Sequence, residues 1–353
     1  MNITERMNHF NIPGVGIAYF SNGEINWSRH FGTLEKGTDK AVNDNSIFHA
    51  CSISKMITAL CVLRLAQDEK LDLRKDVNEY LASWKIPDGE FISEKKITLA
   101  NLLAHQAGFY DCEGSFGPYK NGDNIPRVID ILKGTTSYNP EEVHAKYAPE
   151  TDCAYSDAGY CVISQVLEDV LGETIPQIAQ RLVSEPLGLK RTFFWELGKD
   201  SYGGISMLDC VVGHDNDGEI VEGTRAAYPN IEGAALWTTT NELASIVIDL
   251  IKSYHGKGGL ILSQEMARFM LTPYGFADYQ GLGVFLQKDE NGSPYFFSQG
   301  WGVGMQCKLR AYYEGQNGVI VMTNSEPGME QDASLVGEII EYVCNAKGLG
   351  LEF

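Results

Sequence analysis

Hydrophobic and polar positions near the start of the chain follow a pattern typical of strands. Residues 14–20 and 24–31 are short runs rich in β-branched and aromatic side chains, and Ser21-Asn22-Gly23 between them favours a tight turn because Asn and Gly tolerate positive φ. The pattern predicts an N-terminal β-hairpin. Residues 53–66 are apolar on nearly every helical face, which predicts a helix buried in the core.

The middle of the chain has helical periodicity. Three segments show it, residues 98–105, 124–132 and 157–171. Polar stretches containing Gly and Pro separate them, and residues 85–96 and 107–122 are interpreted as loops. This part of the chain is therefore predicted to be mainly helical.

Toward the C-terminus the hydrophobic period returns to two. Strands are predicted over residues 283–287, 295–298, 305–313 and 318–323, with turns at Asn291-Gly292 and Asn317-Gly318. Residues 333–344 carry apolar side chains on one helical face and predict a closing helix.

Strands at both ends and helices between them predict an α+β fold, in which an antiparallel sheet flanked by helices carries an inserted all-helical domain. The sheet domain would be discontinuous, comprising residues 1–66 and 195–353, and the mainly helical domain would comprise residues 67–194. A ligand site is expected in the cleft between the two.

Composition and charge narrow the function classes. The 353 residues are 44% hydrophobic and 21% charged, as in ordinary folded proteins, and 28 Lys and Arg against 47 Asp and Glu give a net charge of −19. Such a chain is repelled by phosphate backbones and anionic lipid, so neither nucleic acid nor a membrane is expected as a partner. No signal peptide and no apolar run of about 20 residues is visible, which predicts a cytoplasmic protein.

The cysteines do not form a metal or disulfide pattern. No Cys-x-x-Cys pair occurs, and we interpret all eight as reduced thiols that serve mainly as small apolar side chains. They are Cys51, Cys61, Cys112, Cys153, Cys161, Cys210, Cys307 and Cys344. No metal is expected, and the oligomeric state does not follow from the sequence.

The first motif with chemical potential is Ser52-Ile53-Ser54-Lys55. Positions i and i+3 of a helix share a face, so Lys55 can approach the Ser52 hydroxyl at the N-terminal end of a buried helix. Burial would lower the pKa of Lys55 toward that of a base useful at neutral pH. The alternative is a plain helix cap at Ser52 with Lys55 extending to solvent. A second S-x-x-K copy, residues 93–96, is assigned to a solvated loop.

Two further segments could complete such a site. Tyr155-Ser156-Asp157 precedes a helix, and a tyrosine hydroxyl beside a lysine can transfer protons; the alternative is a packing tyrosine and a capping aspartate. Residues 298–304 lie between two predicted strands, and their glycines would let a ligand approach the backbone or would simply form a bulge or tight hairpin.

In order and approximate spacing, these three segments resemble the signature elements of the serine β-lactamase and penicillin-binding-protein superfamily, in particular the branch with class C β-lactamases, D-aminopeptidases, DD-peptidases and related esterases. Supporting stretches lie at residues 12–16, 102–108, 186–189 and 233–243. The resemblance implies a cofactor-free covalent mechanism. Ser52 would be the nucleophile, Lys55 and Tyr155 the proton-transferring pair, and the backbone N–H groups of Ser52 and Gly302 the oxyanion hole.

The sequence departs from the family pattern at positions expected to contact substrate: Asp157, Gln299, Gly300 and Trp301. Gln299 stands where many relatives have Lys or His, so a substrate carboxylate would lose a charge-assisted hydrogen bond, and Trp301 would narrow the cleft. Asp157 replaces the usual Asn. It would either reach Lys55 and shift the base role to Tyr155, or face the cleft and repel anionic substrates.

Three functions remain open from the sequence. The first is a serine hydrolase that cleaves small esters or amides, or peptide-like substrates, through an acyl-Ser52 intermediate. The second is a penicillin-interactive DD-peptidase or weak β-lactamase, and the third is a non-catalytic binding module on the same fold. His49 and His105 are interpreted as structural residues, because lysine and tyrosine already fill the base role.

Overall fold

The computed structural model describes residues 1–120 and 124–346. Its strands are β1 (Gly14–Ser21), β2 (Glu24–Gly32), β3 (Phe48–Cys51), β4 (Phe193–Phe194), β5 (Ser201–Tyr202), β6 (Ile205–Ser206), β7 (Leu236–Thr238), β8 (Phe285–Lys288), β9 (Pro294–Gly302), β10 (Met305–Tyr312) and β11 (Asn317–Thr323). Its α-helices are α1 (Ile3–His9), α2 (Ser54–Gln67), α3 (Leu99–Leu103), α4 (Val128–Leu132), α5 (Asp157–Leu171), α6 (Ile175–Ala179), α7 (Glu185–Leu187), α8 (Ile231–Ala234), α9 (Thr240–Tyr254), α10 (Gln264–Met270) and α11 (Leu335–Asn345).

A six-stranded antiparallel sheet joins the two ends of the chain, in the order β2-β1-β11-β10-β9-β8. The N-terminal hairpin is confirmed, and β1 pairs along its length with β11, from Val15 opposite Thr323 to Ser21 opposite Asn317. A second sheet of three short strands, β3-β7-β4, supports the residues before α2. The predicted mixed fold, with an antiparallel sheet flanked by helices, is therefore confirmed.

The large sheet is covered on both faces. On one face α1 and α11 bury apolar side chains such as Ile3, Met7 and Ile339 against β1 and β11. The opposite face packs on a larger core that includes α2, α5 and α9. Helix α2 is buried on all sides, as its sequence predicts, with Arg64, Ala66 and Gln67 as its partly exposed positions.

Two predicted elements differ from the structure. The helix expected over residues 124–132 forms only from Val128, because Pro126 disfavours helical backbone at Ile125. The turn expected at Asn317-Gly318 lies instead at residues 313–316, and both residues belong to β11. A Cβ on Gly318 would lie 2.6 Å from the Phe20 ring, so close packing rather than a turn accounts for this glycine.

Other elements were not anticipated. The 15-residue helix α9 was not recognised from the sequence, and β9 continues through Ser298 to Gly302 instead of ending at Ser298. The division into domains at residues 66/67 and 194/195 stays a prediction. Among the residues that the structure describes, no helix combines the length and apolarity needed to span a membrane.

Candidate active site

Ser52 lies in the turn between β3 and α2. Cys51 just before it has φ +47°, an unusual backbone conformation for a residue with a side chain, and this allows the strand to turn directly into the helix. The Ser54 hydroxyl donates to the carbonyl of Cys51 (2.5 Å) and accepts from the amide of Leu236 (2.9 Å). These bonds fix the turn and leave Ser52 partly exposed.

Lys55 lies one turn into α2 and is only 3% exposed. Its ammonium donates to Asp157 Oδ1 (2.6 Å) and to the carbonyl of Gly233 (2.9 Å). Burial by itself lowers the pKa of Lys55, but the nearby Asp157 carboxylate and the Tyr155 hydroxyl outweigh it and raise the pKa above its ordinary value. The expectation of a lowered pKa is therefore wrong, because Asp157 reaches Lys55.

Tyr155 lies in the loop before α5 and is 44% exposed as a whole residue. Its hydroxyl interacts with both the Ser52 hydroxyl and the Lys55 ammonium, and Lys55 Nζ lies 4.7 Å from the ring centroid. Desolvation of the crowded hydroxyl raises the pKa of Tyr155, and Lys55 opposes that rise. The structure thus brings together the three residues that the sequence separates by up to 103 positions.

A small, narrow crevice joins these side chains. Its lining includes Ser52, Lys55, Tyr155, His105, Gln280, Ser298 and Gln299. Ser93, which begins the second S-x-x-K copy, is exposed and donates to the carbonyl of Glu90 (2.8 Å). Its assignment to a solvated segment outside the site is confirmed.

Strand β9 contributes an open edge to the crevice. Strand β8 pairs with residues 294–297 only, so residues 298–302 have no neighbouring strand on that side within the described chain. Gly302 and Met305 close the hairpin around Val303-Gly304, and such a closing pair exchanges both backbone hydrogen bonds. Alternation along the strand then directs the N–H of Trp301, rather than that of Gly302, toward the open edge.

The same register assigns the side chains of β9 to faces. Gln299 is paired with Lys308 and Trp301 with Gln306, and paired residues project from the same face of a sheet. Lys308 bonds to Asp332 and Gln306 bonds to Ser334, on the face that α11 covers. The side chains of Gln299 and Trp301 therefore project away from the Ser52 turn, which does not support their expected contact with substrate.

Ser298 and Gly300 face the turn that carries Ser52. A Cβ on Gly300 would lie 2.3 Å from the carbonyl oxygen of Ala50, so only glycine fits this close approach. Ser298 is 4% exposed and lines the crevice. The position that faces the site is therefore Ser298, one residue before Gln299.

Two residues that support the site, Asp111 and Asn230, were not predicted from the sequence. Asp111 accepts from the Ser156 hydroxyl (2.8 Å) and from the amides of Asp157 (2.6 Å) and Ala158 (3.2 Å), which anchors the start of α5. Asn230 Nδ2 donates to Asp157 Oδ1 (2.8 Å). Neither lies in a motif that could have revealed its role.

His49 and His105 lie beside the site as structural residues. Burial and the Lys55 charge lower the pKa of His105 to about 3, so its ring is neutral, and its Nδ1 accepts from the amide of Ser156 (3.2 Å). His49 is 1% exposed and bonds to the carbonyl of Ala234. The interpretation of both as packed and hydrogen-bonded residues agrees with these contacts.

All eight cysteines are free thiols, as predicted, and Cys51 is buried against His49 rather than facing the crevice.

The fold is shared with known structures of one class. A D-amino acid amidase from Ochrobactrum anthropi SV3, complexed with L-phenylalanine amide, superposes with a TM-score of 0.77 at 18% identity, over 98% of this chain and 96% of that one. An octameric penicillin-binding protein homologue from Pyrococcus abyssi gives a TM-score of 0.75 at 20% identity, over 99% and 76%. This is the fold of serine β-lactamases and penicillin-binding proteins.

The sequence comparison identifies the family. The family described as Beta-lactamase matches residues 2–342, and the chain belongs to it. Penicillin-binding protein 4 of Amycolatopsis lactamdurans is 25% identical over 181 residues, 51% of this chain and 44% of that protein. Teichoic acid D-alanine hydrolase of Staphylococcus aureus is 28% identical over 182 residues, 51% and 41%. The matches thus cover less than half the length of these two curated relatives.

Proposed function

We propose that the protein is a serine hydrolase that cleaves small esters or amides through an acyl-Ser52 intermediate. One observation carries the proposal: Ser52, Lys55 and Tyr155 line the same crevice, and the Tyr155 hydroxyl interacts with the other two. A serine beside a base at a helix N-terminus is the arrangement that nucleophilic catalysis requires. The fold and the hydrolases among the similar proteins support this reading.

The contacts suggest how protons would move. Because Asp157 holds Lys55 as the ammonium, Tyr155 is the better base. Its reactive form is the phenolate, which burial disfavours and the Lys55 charge favours. Ser52 Oγ would bond to the acyl carbon while its proton passes to Tyr155. Tyr155 would return that proton to the leaving alcohol or amine as its bond to the acyl carbon breaks. Water would then release the acid by the same route.

The proposed oxyanion hole consists of two backbone amides. Ser52 lies at the N-terminal end of α2, where amides have no partner within the helix and the helix dipole is positive. The amide of Trp301 faces the open edge of β9. We therefore propose Ser52 and Trp301 as the oxyanion hole, in place of Ser52 and Gly302.

The charges of the crevice favour neutral or amine-bearing substrates. The Lys55 ammonium in the crevice lining is already paired with Asp157. The neighbouring β9 residues Ser298 and Gln299 carry no charge. A substrate carboxylate would gain no free cation among the lining residues. Two similar proteins, a D-amino acid amidase and a teichoic acid D-alanine hydrolase, support small amides and esters as the class. In the proposed two-domain arrangement, residues 67–194 supply Tyr155 and the sheet domain supplies Ser52.

A second candidate is a penicillin-interactive peptidase. The open edge of β9 offers backbone groups to a peptide-like ligand, and similar proteins include penicillin-binding proteins. The lack of a free cation in the crevice makes this candidate weaker than the esterase or amidase.

Intact mass and product release distinguish these candidates. Wild type, Ser52→Ala and the matched control Ser93→Ala are incubated with a fluorophosphonate, p-nitrophenyl butyrate and a fluorescent penicillin. We expect a phosphonyl adduct and ester turnover in wild type and in Ser93→Ala, and neither in Ser52→Ala. Tyr155→Phe should lower turnover by about 100-fold or more, because proton transfer is lost.

A persistent penicilloyl adduct without ester turnover would favour the second candidate. If no probe forms an adduct with wild type, both enzymatic candidates are excluded and the non-catalytic binding module remains.

A further inference from the structure

Helix α8 holds a carboxyl group that the proposed mechanism does not use. Glu232 is 0% exposed, and its backbone carbonyl accepts from the Thr58 hydroxyl of α2 (2.8 Å). The residues around it in the chain contact the candidate site: Asn230 donates to Asp157 and Gly233 accepts from Lys55. Glu232 is therefore built into the segment that supports the Lys55–Asp157 pair.

The Glu232 carboxyl is buried without the strong, well-aligned hydrogen-bond donors that a carboxylate needs. Neither of its oxygens has a hydrogen-bond partner of normal geometry among residues 1–120 and 124–346. Another buried acid shows the contrast, since the Asp249 carboxylate accepts from the amides of Leu260 (2.7 Å) and Ile261 (3.1 Å). A buried carboxyl group without donors is stable as the neutral acid.

The groups facing Glu232 come from each element around α8. Glu232 interacts electrostatically with Lys55 of α2, with Asp157 and Cys161 of α5 and with Tyr119 of the loop before α4. His49 of β3 contacts α8 at the carbonyl of Ala234. Burial raises the pKa of Glu232 to about 7, the Cys161 thiol and Lys55 lower it, and Asp157 raises it. Glu232 is thus the protonated acid below about pH 7 and a carboxylate above it.

We propose that Glu232 is a positioning residue that regulates the candidate active site through the charge balance around Lys55. The proposal rests on the proposed function. While Glu232 is neutral, the Asp157 carboxylate is the negative charge that pairs with the Lys55 ammonium. The ammonium then lowers the pKa of Tyr155 to its full extent. When Glu232 ionises, a second negative charge offsets Lys55, the pKa of Tyr155 rises, and a smaller fraction of Tyr155 is the phenolate that accepts the Ser52 proton.

The test compares the pH dependence of acylation in wild type and Glu232→Gln, because Gln keeps the shape of the acid and never ionises. The rate of phosphonylation of Ser52 is measured from pH 5.5 to 9.5. We expect the ratio of variant to wild-type rate to be near one at pH 6 and to rise about 3- to 10-fold by pH 8.5, with a midpoint near pH 7. The ratio of the two rates at each pH cancels the pH dependence that wild type and the variant share, which includes the ordinary titration of Tyr155.

The control is Glu290→Gln, an exposed position in the turn between β8 and β9, for which we expect a ratio independent of pH. A flat ratio for Glu232→Gln would overturn the inference and leave the proposed function intact. No phosphonylation of wild type at any pH would overturn both. If Glu232→Gln does not fold, carbon-13 NMR of wild type labelled at Glu carboxyls replaces it: a carboxyl titrating near pH 7 supports the inference, and its absence contradicts it.

Discussion

At the scale of single residues, the Lys55–Asp157 pair dominates the chemistry of the site. An ammonium 2.6 Å from a carboxylate, with a second bond to a backbone carbonyl, holds its proton more firmly than an isolated buried lysine. Only the structure distinguishes this geometry from the alternative in which Asp157 faces the substrate. Because Lys55 keeps its proton in this geometry, the proposed base role passes from Lys55 to Tyr155.

Replacing Asp157 tests this assignment. Asp157 raises the pKa of both Lys55 and Tyr155, so Asp157→Asn should lower both. We expect the rising acid limb of kcat/KM for a neutral ester to move down by about one pH unit, with a rate about 3- to 10-fold higher at pH 6.

The matched control is Asp130→Asn, which removes a carboxylate paired with the exposed Arg127 away from the site. An acid limb that stays in place in Asp157→Asn would mean that Asp157 does not set the protonation of the reacting groups.

At the scale of elements, the start of α5 positions two of these residues. The carboxylate of Asp111 accepts from one hydroxyl and two amides there, while Ser156 Oγ also accepts from the amide of Gly159 (3.0 Å). These bonds satisfy donors that a helix leaves unpaired at its first turn. They connect the loop of Asp111 to the position of Tyr155 and Asp157.

Removing this cap should therefore affect both stability and turnover. For Asp111→Ala we expect a loss of about 1–2 kcal/mol in the free energy of unfolding and at least a tenfold decrease in kcat, measured by urea denaturation and ester hydrolysis.

Ser263→Ala serves as the matched control, since Ser263 caps α10 by accepting from the amide of Met266 (3.2 Å). It should lose comparable stability with unchanged kcat. If Asp111→Ala also keeps the wild-type kcat, the Asp111 cap supports the fold but does not position the site.

At the scale of the whole molecule, the net charge of −19 acts on any charged substrate before it reaches the crevice. Long-range attraction favours cationic substrates and repels anionic ones, and salt screens both effects. Between 20 and 300 mM NaCl, kcat/KM should fall about 2- to 5-fold for an amine-bearing ester and rise for a carboxylate-bearing one.

An uncharged ester of the same size is the internal control and should show little change. Parallel salt dependence for all three esters would exclude electrostatic steering by the protein.

Much of the architecture follows from local patterns. The N-terminal hairpin, the buried helix α2, helix α5 and the C-terminal strands are predictable because alternation and helical periodicity record which face of each element is buried. Errors occur where a residue serves tertiary packing. Gly318, for example, reads as a turn residue but allows the close approach of Phe20.

By itself, the sequence determined the fold class, the family resemblance and the three side chains of the candidate site, because short motifs and hydrophobic periods are local properties of a chain. Tertiary packing sets the protonation of Lys55, the direction of the Gln299 and Trp301 side chains, and the surroundings of Glu232. Each of these depends on distances between segments far apart in the chain, on strand register or on burial, and no local pattern specifies them.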